Sequence, residues 1–180
     1  KGYKDFSSRE QKQLSKEFVK FNERCIIRLL GDMRSYNYVI VPTHDFDQVQ
    51  YRIRAIDFDQ QSYEGKFKVY MPQFLKENNL YVDMVHNNLQ EQSINQYKIE
   101  ERSAISKRVL RSHDRVSHLL DCMSDSSISS SEKVEQLKSD LINYTKDIKF
   151  KKCQSMGELL VVAFDFVVRN YESENHYLIH

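Results

Sequence analysis

Leu14, Phe18, Phe21, Cys25 and Leu29 recur at spacings of three and four along the first part of the chain, which puts them on one face of a helix. Ser7 and Glu10 precede the run as a capping box, each side chain placed to satisfy the other residue's orphan amide. Gly31 follows it as a stop, so the pattern predicts a long helix over 7–31. A β-branched run, Tyr38-Val-Ile-Val41, comes next and is closed by Pro42. After the polar stretch THDFDQVQ, Tyr51-Arg-Ile-Arg-Ala-Ile56 alternates apolar and basic as a half-exposed strand does. The two runs predict an antiparallel hairpin with a longish connection, which together with the preceding loop fills 32–60. Beyond Pro72, Phe74, Leu75, Leu80, Tyr81, Met84, Val85 and Leu89 mark one helix. Tyr97, Ile105, Val109, Val116 and Leu120 mark a second, more charged one, so helices occupy 72–123. The run SDSSISSS over 124–131 reads as a Ser-rich loop. Helices return over 132–170, including the apolar block GELLVVAFDFVV, whose length and helical flanks favour helix over buried strand.

Composition narrows the class. Four Gly and two Pro in 180 residues leave little punctuation, so long helices dominate and Gly-rich dinucleotide folds and all-β sandwiches are excluded. With 40% hydrophobic and 29% charged residues the chain suits one folded domain over 1–180, mainly α with a small antiparallel β hairpin. A formal net charge of +1 argues against a nucleic-acid partner, which would call for a basic stripe. No apolar run is long enough for a membrane span. Cys25, Cys122 and Cys153 are odd in number, lack ligand spacing and read as reduced thiols, which together with the absence of a signal-peptide core predicts a cytoplasmic protein.

The candidate chemistry lies around the hairpin. Leu30-Gly31-Asp32 closes the first helix, Asn37 stands five after Asp32, and the second strand runs into Ile56-Asp57-Phe58-Asp59. This helix, loop, strand, strand, Asp order resembles the catalytic lobe of the protein-kinase-like superfamily, with its D-x-x-x-x-N loop and a D-F-type motif after a short hairpin. The resemblance covers roughly 10–60 and implies a C-terminal lobe of an ATP-dependent phosphotransferase. By position, Asp32 matches the catalytic Asp, and Asn37 and Asp57 match the residues that hold Mg²⁺. Arg34 sits where a cation meets the transferred phosphate, and Asp59 assists near the metal or acceptor. Mg²⁺ and ATP are the implied cofactors, and a hydroxyl of unspecified class is the implied acceptor. IDFD is similar to the aminoglycoside and choline phosphotransferases, although Leu30 replaces the His of their H-G-D loop; the L-G-D opening is similar to phosphoinositide kinases, although Met33-Arg34 replaces their Arg-His.

A kinase-like enzyme also requires a nucleotide-clamping lobe with a Gly-rich loop and a paired Lys. Gly2, Gly31, Gly65 and Gly157 never cluster, and about thirty residues precede Asp32. The resemblance therefore implies an N-lobe or upstream domain as a partner, an expectation in keeping with the start at Lys1. The rival from another class is a non-catalytic helical interaction module, or an inactive lobe, in which the hairpin is a structural corner. Other chemistry-bearing residues read as structural. His44, Asp45 and Asp47 belong to a solvated loop, Lys107, Arg108, Arg111 and Arg115 to a salt-bridged helix face, and Cys25 to the core.

Overall fold

The computed structural model describes residues 5–45, 48–58, 71–124 and 131–176. Helix α1 (Ser8–Ile27) leads into a two-stranded antiparallel sheet of β1 (Tyr38–Asp45) and β2 (Gln48–Ala55). Short 3₁₀ turns at Pro72–Phe74 and Lys76–Asn78 then open α2 (Asn79–Asn88). The rest is α3 (Glu91–Arg111), α4 (His113–Ser124), α5 (Ser131–Thr145), a 3₁₀ turn at Ile148–Lys152 and α6 (Met156–His176). The mainly helical class with a small hairpin is as the sequence predicts.

Helix α1 begins as the capping box requires. The Glu10 amide donates to Ser7 Oγ at 3.3 Å, and the Ser7 amide donates to Glu10 Oε2 at 2.8 Å. It ends earlier than predicted, at Ile27 rather than at Gly31. Leu29 takes the left-handed conformation at φ 50° that a glycine would usually supply. The Leu30 amide donates to the Cys25 carbonyl at 2.8 Å and the Leu29 amide to that of Ile26 at 3.3 Å, which closes a Schellman turn. A non-Gly residue there costs about 1–2 kcal/mol. Complete burial of the Leu29 side chain, worth roughly 1.5–3 kcal/mol, offsets it.

The hairpin also differs from expectation. Pro42 does not close β1 but lies within it opposite Tyr51, and the register runs from Tyr38 against Ala55 to Asp45 against Gln48. Most of THDFDQVQ is therefore strand, including His44. In a two-stranded sheet every strand has a free side, where a residue without an N–H is tolerated. The outer edge of β2 is covered by α1. Glu17 Oε1 accepts the Ile53 amide at 3.0 Å, and Arg24 Nη2 donates to the Ile53 carbonyl at 2.9 Å.

Two apolar clusters meet at α1. Phe18, Phe21, Cys25, Leu30, Met33, Tyr38 and Ile53 join α1 to the hairpin, with Tyr81, Val82 and Val85 of α2 packed against them. Ile26, Ile27 and Leu29 belong to the larger cluster built on α5 and α6. Helix α1 is thus buried on more than its apolar stripe, and its buried charged residues Glu17, Glu23 and Arg24 are paired. Glu17 and Glu101 both hold Arg24, at 2.6 and 3.1 Å. Glu23, fully buried, accepts from Arg102 Nε at 2.5 Å and from the Tyr144 hydroxyl.

The predicted second helix of 72–123 is broken at Ser112, whose amide is shared between the carbonyls of Arg108 (3.0 Å) and Val109 (3.2 Å). Ser124 and Ser131 of the predicted Ser-rich loop are the last residue of α4 and the first of α5, and 125–130 lie outside the described residues. The apolar block is helical, within α6. No described helix is long and apolar enough to cross a membrane.

Candidate functional site

The loop between α1 and β1 is folded around Asp32, which takes the left-handed conformation at φ 52°. Short polar side chains tolerate that region better than most. The Asp32 carbonyl accepts two hydrogen bonds, from the Arg34 amide at 2.7 Å and from Asn37 Nδ2 at 2.7 Å. The Asn37 amide in turn donates to the Arg34 carbonyl at 2.9 Å. The loop is therefore closed by its own fifth residue after the Asp.

Asn37 also reaches forward. Its carbonyl accepts the Ile56 amide at 3.0 Å and the Asp57 amide at 3.4 Å, extending the β1–β2 pairing by one step past Ala55. A single buried residue thus touches the loop Asp through its side chain and the strand-end Asp through its backbone. Of the five residues singled out in the sequence, Asp32, Arg34, Asn37 and Asp57 are gathered at the open end of the hairpin. Asp59 lies outside the described residues.

Arg34 is engaged within the site. Its Nε donates to Asp32 Oδ1 at 2.9 Å and its Nη1 to Glu77 Oε1 at 2.9 Å. The Asp32 hydrogen bond is the largest cause holding the guanidinium above its ordinary pKa. Glu77 and its neighbour Asn78 form a second support that periodicity did not reveal. Asn78, with no exposed surface, donates from Nδ2 to the carbonyls of Met33 (3.0 Å) and Pro72 (2.9 Å) and accepts from the Tyr38 hydroxyl at 2.6 Å. The stretch around Pro72 reads in sequence as the start of a helix, whereas its last 3₁₀ turn buttresses the Asp32 loop. The only sequence signal is Glu-Asn-Asn just ahead of an apolar helix, where Asn favours turns and caps.

Asn37 Nδ2 is committed to the Asp32 carbonyl, and no described residue donates to Asn37 Oδ1. That oxygen and the half-buried Asp57 carboxylate are hard donors of the kind Mg²⁺ takes, few in number and completed by water and phosphate. Among the described residues no three His, Cys, Asp or Glu side chains are grouped as metal ligands, which does not fit a closed protein-only cage. The donor chemistry fits Mg²⁺. Outside the site, His86, His113 and His118 are exposed. The Arg108, Arg111 and Arg115 face is solvated but, among the described residues, carries no ion pair.

No family profile, curated protein or solved structure matches this chain. The functional reading therefore rests on the geometry of the Asp32 loop and on the motif order.

Proposed function

We propose that this chain is the catalytic-lobe portion of an ATP-dependent, kinase-like phosphotransferase that acts on a hydroxyl acceptor and is completed by an N-lobe or upstream domain. The observation that carries the reading is Asn37, bonded to the Asp32 carbonyl at 2.7 Å and to the Asp57 amide at 3.4 Å. This link supports the reading because an Asp, an Asn and a second Asp are the residue types that phosphoryl transfer uses.

Asn37 Oδ1 and the Asp57 carboxylate would hold Mg²⁺, which when bound neutralises charge on the nucleotide phosphates. Asp32 would accept or orient the proton of the acceptor hydroxyl. Arg34 would neutralise charge on the transferred group, and Asp59 would assist close by. On the outer face of the hairpin Val39 is 40% exposed and Ile56, beside Asp57, is 55% exposed. Apolar side chains at that place give a flat nucleobase a surface to lie against. A cytoplasmic setting suits the reading, since thiols stay reduced there.

One observation favours the inactive-lobe alternative: the Asp32 carboxylate is already occupied by Arg34 at 2.9 Å. Both readings meet the same test. Mn²⁺, a paramagnetic stand-in for Mg²⁺, should broaden the amide signals of Asn37 and Asp57 before any others, and Asp57→Ala should abolish the effect while leaving the helical circular dichroism intact. Broadening that is unchanged in Asp57→Ala, or absent in the native chain, overturns the metal assignment.

A further inference from the structure

A second cleft lies away from the Asp32 loop, between the first half of α1, the middle of the hairpin and the centre of α3. It encloses about 480 Å³, within the size range of small-ligand pockets. Neither Asp32, Arg34, Asn37 nor Asp57 lines it.

Its walls are chemically unequal. Lys16 and Lys20 line it from α1, and both are held by Glu100, at 3.4 and 2.6 Å. Arg52 from β2 and Arg108 from α3 line it from the other two elements, and among the described residues no carboxylate pairs with either. Among the described residues these two guanidinium groups on different walls have no counter-ion, since the cleft carboxylates Glu17 and Glu101 are on Arg24. Planar guanidinium groups bind phosphate through paired hydrogen bonds.

The floor has the opposite character. Glu101 is only 3% exposed; its Oε2 is on Arg24 at 3.1 Å, while its buried Oε1 has no donor. Gln13 Oε1, from the facing helix, is likewise buried without a donor. Each such acceptor is unfavourable until a donor reaches it. A ligand that matches this cleft therefore carries a dianionic end toward Arg52 and Arg108 and a donor end toward Glu101. A carboxylate acceptor favours a cationic donor.

We propose that this cleft binds the phosphomonoester of a small amine, with the phosphate held by Arg52 and Arg108 and the ammonium donating to Glu101 and Gln13. The inference rests on the cleft alone and stands whether or not the chain transfers phosphate.

Titration of the ¹⁵N-labelled chain with ethanolamine phosphate, inorganic phosphate, glycerol phosphate and ethanolamine tests it. Ethanolamine phosphate should shift the amides of Lys16, Gln50, Arg52 and Arg108, and should bind at least about tenfold more tightly than inorganic phosphate or ethanolamine, a difference of about 1.4 kcal/mol. Arg52→Gln and Arg108→Gln, both on exposed or half-exposed positions without ion pairs, should each weaken it by about tenfold or more. The proposal is overturned if the double variant binds as tightly as the native chain, or if the shifts map elsewhere. Glycerol phosphate or inorganic phosphate binding as tightly as ethanolamine phosphate overturns the ammonium assignment, and ethanolamine alone doing so overturns the phosphate assignment.

Discussion

Replacing Asn78 by Ala should destabilise the chain far more than its polar character suggests. The side chain is fully buried and makes three hydrogen bonds, to the Met33 and Pro72 carbonyls and from the Tyr38 hydroxyl. At about 1 kcal/mol net for each bond, its removal costs roughly 3 kcal/mol. The partners then differ in how well they recover. The Pro72 carbonyl keeps the Leu75 amide at 3.0 Å, whereas the Met33 carbonyl loses the side-chain donor that anchors it. A buried unsatisfied carbonyl adds about 1–3 kcal/mol, so the total comes to about 4–6 kcal/mol. That is a large share of the roughly 5–15 kcal/mol by which domains are stable. In urea unfolding followed by circular dichroism, with a slope near 2 kcal/mol/M, the midpoint should fall by about 2–3 M. Tyr38→Phe removes the hydroxyl's bond to Asn78 and should cost about 1–2 kcal/mol. The double variant should then be less destabilised than the two costs added, because both remove the same contact. Hydrogen exchange of the Arg34 and Asn37 amides should accelerate in Asn78→Ala. A loss below about 1 kcal/mol, with those amides still protected, would refute the view that Asn78 fixes the loop.

Three further outcomes follow from packing and charge. Cys122 is exposed while burial pushes the Cys25 thiol upward and the Cys153 thiol to about 11, so a thiol reagent should label Cys122 alone in the folded chain and all three cysteines after unfolding; native labelling of Cys25 contradicts the packing. Glu23→Ala should cost about 3–5 kcal/mol in the same urea assay by stranding Arg102 and Tyr144, while Glu23→Leu combined with Arg102→Leu should cost less; equal losses refute the pairing. For Asp147 and Asp165 burial acts upward, but hydrogen bonds from the Lys149 amide and Arg169 to the first, and from Lys149 Nζ and Arg169 to the second, hold both below the ordinary value of 3.8. The sign is that of depressed carboxylates: the stability they add is complete above that value and is lost as pH falls through their folded pKa values. Arg169→Gln should therefore start acid unfolding at a higher pH, read as Tm against pH, and superimposable curves would count against the pair.

The elements that were legible in the sequence are those where local signal and burial agree. The Ser7–Glu10 box starts α1 because both groups are close in sequence and satisfy each other without help from the rest of the chain. The end of α1 was misread because burial overrides backbone preference at Leu29, leaving Gly31 outside the turn it was expected to make. The break at Ser112 is invisible for a different reason. Val109 and Leu120 pack on the same cluster on either side of it, so the apolar period continues through the kink. Pro42 lies inside β1 because a two-stranded sheet has no central strand, so a residue without an N–H is tolerated there. At the candidate site the order of Asp32, Asn37 and Asp57 was readable, since each stands at the end of an element. The supports were not. Glu77 and Asn78 act on residues more than forty positions away, and no short-range pattern encodes such a contact.

These supports bear on how the Asp32 loop could act. Arg34 bridges two carboxylates, Asp32 and Glu77, both at 2.9 Å, and all three side chains are partly open to solvent. Solvent-exposed pairs of this kind contribute little, so the guanidinium can leave either partner readily. Asn37 and Asn78, by contrast, hold the loop through buried hydrogen bonds to the carbonyls of Asp32 and Met33. The site thus combines a backbone held by side-chain amides with a guanidinium held only by solvent-exposed ion pairs. In the proposed reaction a phosphate arriving at the hairpin's open end competes with Asp32 for Arg34, and each step Arg34 takes toward the phosphate frees the carboxylate to meet the acceptor hydroxyl. In that reaction Glu77 would offer the guanidinium a second partner at the same distance as Asp32. On this view Glu77→Gln weakens the hold on Arg34 without disturbing the loop, whereas Asn78→Ala disturbs the loop and leaves the ion pairs free to re-form. The two neighbours of one 3₁₀ turn therefore divide the work of the site between charge and geometry.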